Sequence, residues 1–211
     1  MFSTERITEI LIHGIILLIA FPVHECAHAL VAKWLGDDTA EKQGRITLNP
    51  VKHLDLFGTV LMLLAGFGWA KPVPINPTKF KKRKLGMALS SLAGPVSNLI
   101  LAYIAIILSK ILLYTGISEE LSIICINAML INVGLAVFNL IPVPPLDGSR
   151  ILLLILPEKI YFKIMKYENI IFIILLAVIW FGILDIPLAF LRVKTIEIMG
   201  FLSLWIDKLF I

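Results

Sequence analysis

The sequence predicts an all-α polytopic membrane protein. About four transmembrane helices are expected, with a re-entrant or interfacial segment, a proline-broken half-helix and a small β element near a candidate site. Three observations predict this. Of 211 residues, 59% are hydrophobic and only 16% charged, where a soluble domain is nearer half apolar and a quarter charged. The mean hydropathy is +0.94. The apolar residues also fall into runs of about 20, the length a helix needs to cross the hydrocarbon.

The first run is roughly Thr8 to Leu35, interrupted by Pro22 and by the polar stretch "HECAH". The second is roughly Met87 to Leu113 and opens with "LAGPVSN"; the third, Leu121 to Ile141, has no charged residue. The fourth is roughly Asn169 to Leu191, with Asp185 and Pro187 near its far end. Three further pieces are apolar but too short to cross. Residues 56–70, "LFGTVLMLLAGFGWA", suit a re-entrant or interfacial element. Residues 146–157, "LDGSRILLLILP", read as a half-helix ended by Pro157. The C-terminal "IEIMGFLSLWIDKLF" reads as an amphipathic helix, either lying at the interface or packed on the bundle. Between the first two runs, 43–49 alternate like a short strand, and 71–76 are held extended by prolines as an edge strand would be. The chain reads as one integral-membrane unit over 1–211, with a catalytic core of about 8–156 and C-terminal helices over 158–211.

Charge supplies the orientation. The connection from Lys33 to Lys84 is basic and ends in "KKRK", the one after the second run is nearly free of Lys and Arg, and 142–167 is basic again. The positive-inside rule puts both basic connections in the cytoplasm and the N-terminus outside. A net charge of +4 is thereby explained without nucleic acid. The N-terminus carries more acid than base and has no cleavage-site pattern, so it does not read as a signal peptide. Cys26 and Cys125 lie in apolar runs, which argues against a disulfide framework.

The polar stretch in the first run needs a reason, because each ionisable group within a bilayer costs about 2–3 kcal/mol or more. His24 and His28 are one helical turn apart, so both imidazoles leave the same face and can reach one ion. Glu25 sits one position round, close enough to take a proton from a metal-bound water without being a ligand. This is the H-E-x-x-H arrangement of zinc proteases. His13, eleven residues earlier, is alone and reads as structural.

Catalytic zinc usually takes three protein ligands and leaves a fourth position to water. The third has two candidates, His53 and Asp147. Asp147 comes after the third run in "NLIPVPPLDG", where Pro142, Pro144 and Pro145 forbid a helix; it is also a good N-cap for the half-helix over 146–157. His24 lies about 16 Å from the cytoplasmic end of its helix. A proline-broken segment folding back from the third run reaches that depth, whereas His53 comes from the loop.

"HECAH", "GPVSN" and "NLIPVPPLDG" occur in an order that resembles the site-2 protease family of intramembrane zinc metalloproteases, over about residues 20–156. The resemblance implies one Zn2+ per chain held by His24, His28 and Asp147, with Glu25 as catalytic base. It also implies Asn139, and Asn98 of "GPVSN", as active-site helpers; interhelical hydrogen bonding is the other reading of both asparagines. The chain reads as a compact member, expected to lack the extra crossing before the motif helix of many relatives and the PDZ or CBS domain of some.

The expected reaction is hydrolysis of peptide bonds within or near transmembrane segments, in a multi-pass protein of a prokaryotic plasma membrane, with the site in the cytoplasmic half. The expected partners are a transmembrane protein substrate and the bilayer. A homo-oligomer or a separate regulatory membrane protein stays open. The rival classes are a metal-ion transporter, which would spread its ligands along the depth of several helices, and an inactive membrane scaffold.

Overall fold

A computed structural model describes residues 4–55, 58 and 71–210. Apart from a single bridge residue at Leu54, all regular structure among them is helical. Helix α1 (Thr4–Trp34) runs unbroken through Pro22. The short α2 (Thr39–Lys42) comes next, and single 3₁₀ turns lie at Pro50–Lys52 and Pro77–Lys79. Then come α3 (Arg83–Thr115) and α4 (Glu119–Asn139). The chain continues through α5 (Gly148–Ile155), α6 (Glu158–Met165), α7 (Glu168–Trp180), α8 (Asp185–Leu202) and α9 (Leu204–Phe210).

Helices α1, α3 and α4 are long and apolar enough to cross a membrane. The α3–α4 connection is short for local reasons. Gly116 ends α3 at φ +63°, the left-handed conformation a glycine adopts without a Cβ penalty. Ser118 then starts α4, its side chain accepting from the Leu121 N–H at 3.1 Å. Helix α3 is central and packs on α1, α4 and α5. One apolar core joins Ala102 and Ala105 of α3, Met129, Val133 and Val137 of α4, and Leu188 and Met199 of α8. Small residues there let helix backbones approach, as membrane helix pairs require.

The fourth expected crossing, 169–191, is not one straight helix. Helix α7 stops at Trp180, and α8 leaves at 84° to it. Thirteen residues span only about 20 Å, less than the hydrocarbon thickness. The pair makes a fourth span only if counted as one broken element. The break is local: Gly182 has φ +68°, and Pro187 fits the first turn of α8, where a missing N–H costs nothing.

The expected β element is absent among the described residues: neither 43–49 nor 71–76 is a strand. Pro72 and Pro74 carry no N–H, so the edge of 71–76 that they face has no donors at those positions, and the Val73 N–H is taken by Glu25. The Lys71 N–H does bond the His53 carbonyl at 2.7 Å, and the Lys71 carbonyl is taken by the Arg45 guanidinium. The expected re-entrant segment, 56–70, lies outside the described residues apart from Gly58. The C-terminal helices pack on α3. Lys110 pairs with Asp207 at 2.7 Å, the Tyr103 hydroxyl donates to the Leu202 carbonyl at 2.9 Å, and Tyr114 stacks on Phe210.

Candidate metal centre

The buried stretch of α1 carries the polar cluster. His24, Glu25 and His28 are 7%, 9% and 6% exposed. One turn of helix brings the two imidazoles together, with Nε2 atoms 3.0 Å apart. Asp147 arrives from the proline-broken stretch between α4 and α5, and its Oδ2 lies 3.2 Å from His24 Nε2 and 3.3 Å from His28 Nε2. Asp147 stands at the start of α5 but makes no side-chain cap bond there. Its carboxylate is turned into the bundle instead, with Oδ1 accepting from the Ser91 hydroxyl at 3.3 Å. Among the described residues, this is the group of His, Cys, Asp or Glu side chains able to hold a metal ion.

Two glycines make the convergence possible. A Cβ on Gly94 of α3 would overlap both imidazoles, so only glycine lets α3 pass against them. A Cβ on Gly148 would overlap the Leu140 and Ile141 carbonyls, so the turn that delivers Asp147 also needs glycine. The glycines of "GPVSN" and "LDG" are therefore explained by contact with the site.

The donor chemistry fits zinc. His28 Nδ1 faces the Ser90 carbonyl at 2.7 Å, and His24 Nδ1 faces Asn98 Oδ1 at 2.5 Å. Both acceptors hold the proton of a neutral imidazole on Nδ1 and leave Nε2 as a bare lone pair. Two lone pairs and a carboxylate oxygen then face one another with no proton between them, which a cation relieves. Their mutual distances of 3.0, 3.2 and 3.3 Å approach the roughly 3.3 Å that separates ligand atoms around a tetrahedral zinc with bonds of about 2.0–2.1 Å.

Glu25 is beside this group and not part of it. Its Oε2 accepts from the Val73 N–H at 3.1 Å. It lines a cavity of about 500 Å³ together with His24, His28, Asp147 and Asn139. The Asn139 amide donates to its own helix at the Leu135 carbonyl, 3.0 Å away. Leu135 and Phe138 of α4 and Phe172, Leu175 and Ile179 of α7 make the rest of the wall largely apolar. Asn98 is fully buried behind His24 and does not line the cavity. His53 is away from the group, its Nε2 on the Thr47 carbonyl at 2.8 Å. Both cysteines are free thiols.

Sequence reasoning missed four residues. Asn132 of α4 accepts the Asn98 amide at 2.9 Å. Ser90 supplies a carbonyl to His28, and Ser91 a hydroxyl to Asp147. Arg150 lines the cavity one turn beyond Asp147, where its charge had signalled only membrane orientation. The serines had one available signal: they immediately precede "LAGPVSN" on the face that carries Gly94.

The fold and the site together define a multi-pass membrane protein with a buried His–His–Asp centre beside a glutamate. The sequence model of Peptidase family M50 matches residues 114–182. A Bacillus subtilis (strain 168) protein named "Putative zinc metalloprotease YwhC" is 47% identical over 173 residues, covering 77% of each chain. A Mycolicibacterium smegmatis protein named "Putative zinc metalloprotease Rip2" is 33% identical over 136 residues, 62% of this chain and 52% of the relative. No solved structure matches. The chain belongs to Peptidase family M50, the site-2 protease family of zinc metallopeptidases.

Proposed function

We propose that this protein hydrolyses peptide bonds within or near transmembrane segments of membrane-protein substrates, and that His24, His28 and Asp147 hold its zinc. One observation carries the reading: two histidines and a carboxylate converge inside the helix bundle, at the wall of an apolar cavity that also contains Glu25. Bound zinc supplies Lewis acidity and brings its water toward neutral pKa. Glu25 takes the proton of the attacking water and later delivers it to the leaving amine. The Val73 N–H holds the Glu25 carboxylate in one orientation while it does so. Asn139, on the same wall, offers its side-chain oxygen to the N–H groups of an unwound substrate. The apolar surfaces of α4 and α7 accept that substrate's side chains.

The distribution of Lys and Arg supports a site in the cytoplasmic half of a plasma membrane, reached by substrates from the bilayer. A transporter needs ligands spread along a path, and here three gather within hydrogen-bonding distance of one another. An inactive scaffold has no need of a buried carboxylate beside them.

Elemental analysis of the detergent-purified protein, with cleavage of a membrane-peptide substrate, tests the reading. About one zinc per chain is expected, lost in His24→Ala and Asp147→Ala. Glu25→Gln is expected to keep zinc and lose turnover. Wild type that takes up no zinc, or Glu25→Gln that cleaves normally, overturns it.

A further inference from the structure

The two histidines are oriented by different means. His28 Nδ1 meets a backbone carbonyl directly, that of Ser90. His24 Nδ1 meets the side chain of Asn98, and an amide side chain can present either an acceptor or a donor. Which end faces His24 is decided further away. Asn132 donates its NH2 to the Ala128 carbonyl one turn back on α4, at 2.8 Å. A carbonyl only accepts, so the Asn132 oxygen must point the other way, toward Asn98. The Asn98 NH2 then donates to that oxygen at 2.9 Å. Its own oxygen is left facing His24, which must carry its proton on Nδ1.

We propose that Asn132 is a positioning residue for the metal centre: through Asn98 it fixes the tautomer of His24 and so keeps His24 Nε2 available to a metal ion. The inference rests on His24 being a ligand, as proposed above. It adds a residue on a third helix, with no atom on the cavity, to the machinery of the site. Burial makes the relay decisive. Asn98 is fully buried and Asn132 is 4% exposed, so no solvent water is at hand to replace a lost partner. Without the Asn132 acceptor, the Asn98 amide is free to turn and offer its NH2 to His24. The imidazole proton would then move to Nε2, where it blocks coordination. The alternative role is interhelical glue between α3 and α4, which polar residues in membrane bundles commonly provide.

Zinc affinity of the metal-stripped protein, measured by chelator competition in detergent, separates the two. Loss of a partner behind a ligating histidine typically weakens metal binding 10–100-fold. Asn132→Leu is therefore expected to weaken zinc at least about 10-fold. Asn132→Asp is expected to restore most of it, because a neutral carboxylic acid donates to Ala128 and accepts from Asn98 as the amide does. The sharper test places Asn132→Leu on an Asn98→Asp background. A carboxylate offers His24 an acceptor whichever way it turns, so the relay predicts that Asn132→Leu then costs zinc affinity little more than about 2-fold. If Asn132→Leu lowers Tm but leaves zinc affinity unchanged, or weakens zinc equally on both backgrounds, Asn132 is glue and the inference fails. Should Asn132→Leu alone fail to fold, Asn132→Asp and the double variant carry the test: both must hold zinc more tightly than Asn98→Leu. Wild type that binds no zinc is a separate outcome and defeats the underlying reading of the site.

Discussion

The Glu25 carboxylate is held by the backbone N–H of Val73, 48 residues further along the chain, at 3.1 Å. Pro72 and Pro74 flank that single donor and have no N–H of their own. The extended stretch 71–76 thus aims one hydrogen bond at the base and, at Pro72 and Pro74, has no N–H to offer an incoming chain. Hydrogen bonds to charged groups contribute about 1.5–3 kcal/mol, or roughly 10–100-fold in rate if the bond is needed in the transition state. Val73→Pro removes this donor and keeps the extended backbone. Its kcat for a membrane-peptide substrate is expected to fall at least about 10-fold with zinc content unchanged. Val73→Ala, which keeps the N–H, should lose far less. Equal losses in the two variants would mean that side-chain packing, and not the N–H, is what matters.

Gly94 gives a steric prediction. An alanine methyl there overlaps both His24 and His28, so one ring at least must leave its position. Gly94→Ala is expected to bind less than half the wild-type zinc and to be destabilised by about 1–3 kcal/mol, as overpacked sites commonly are. Gly14 on the same helix as the histidines has open space around it. Gly14→Ala is expected to be neutral or slightly stabilising, by up to about 1 kcal/mol. Thermal unfolding and elemental analysis of the two proteins make the comparison.

How far the sequence could be read depended on what kind of fact each element rests on. The pairing of His24 and His28 follows from helical periodicity, and the arrival of Asp147 at their depth follows from three prolines after a charge-free run. Both are written in residue types. Asn132 was not legible, because a lone asparagine in an apolar helix has no pattern; only the direction of its amide toward Ala128 and Asn98 gives it meaning. The expected β element failed on donors: alternation in 43–49 counted side chains, whereas in 71–76 Pro72 and Pro74 have no N–H and the N–H groups of Lys71, Val73 and Asn76 go to His53, Glu25 and Asp37. The fourth crossing was legible as an apolar length but not in its shape, because α7 and α8 meet at 84° and make one span only as a broken pair. Hydropathy averages over Gly182 and cannot register its positive φ.

The ion pairs of Asp38, in the loop that follows α1, imply a pH dependence of stability. Asp38 pairs with Lys42 and Lys79, each at 2.5 Å. Hydrogen bonds first from Lys42 and then from Lys79 hold its carboxyl down from 3.8 to about 2. A carboxyl depressed in the folded state stabilises it fully above the unfolded value, and that contribution is lost as pH falls through the folded value. The Tm difference between wild type and Asp38→Asn is therefore expected to be present at about pH 6, to be mostly lost by about pH 2 and to vanish below it. It should also shrink in high salt, because all three groups face solvent. A difference that persists at the acid end would mean that Asp38 acts through packing and not through charge.

The bend between α7 and α8 is the last place where one residue decides the architecture. Gly182 ends α7 at φ +68°, and a Cβ there would lie 2.9 Å from the Asp185 carboxylate. Left-handed backbone costs an ordinary L-residue about 1–2 kcal/mol, and asparagine less, because its short polar side chain bonds locally. Gly182→Ala is thus expected to lower Tm by several degrees for a chain of this size, and Gly182→Asn by clearly less. Because α7 forms one wall of the cavity through Phe172, Leu175 and Ile179, the alanine variant should also raise KM for a membrane-peptide substrate while zinc content stays at the wild-type level. If alanine and asparagine prove equally harmless, the turn does not need its left-handed residue, and α7 and α8 can realign into the straight crossing that hydropathy alone suggests.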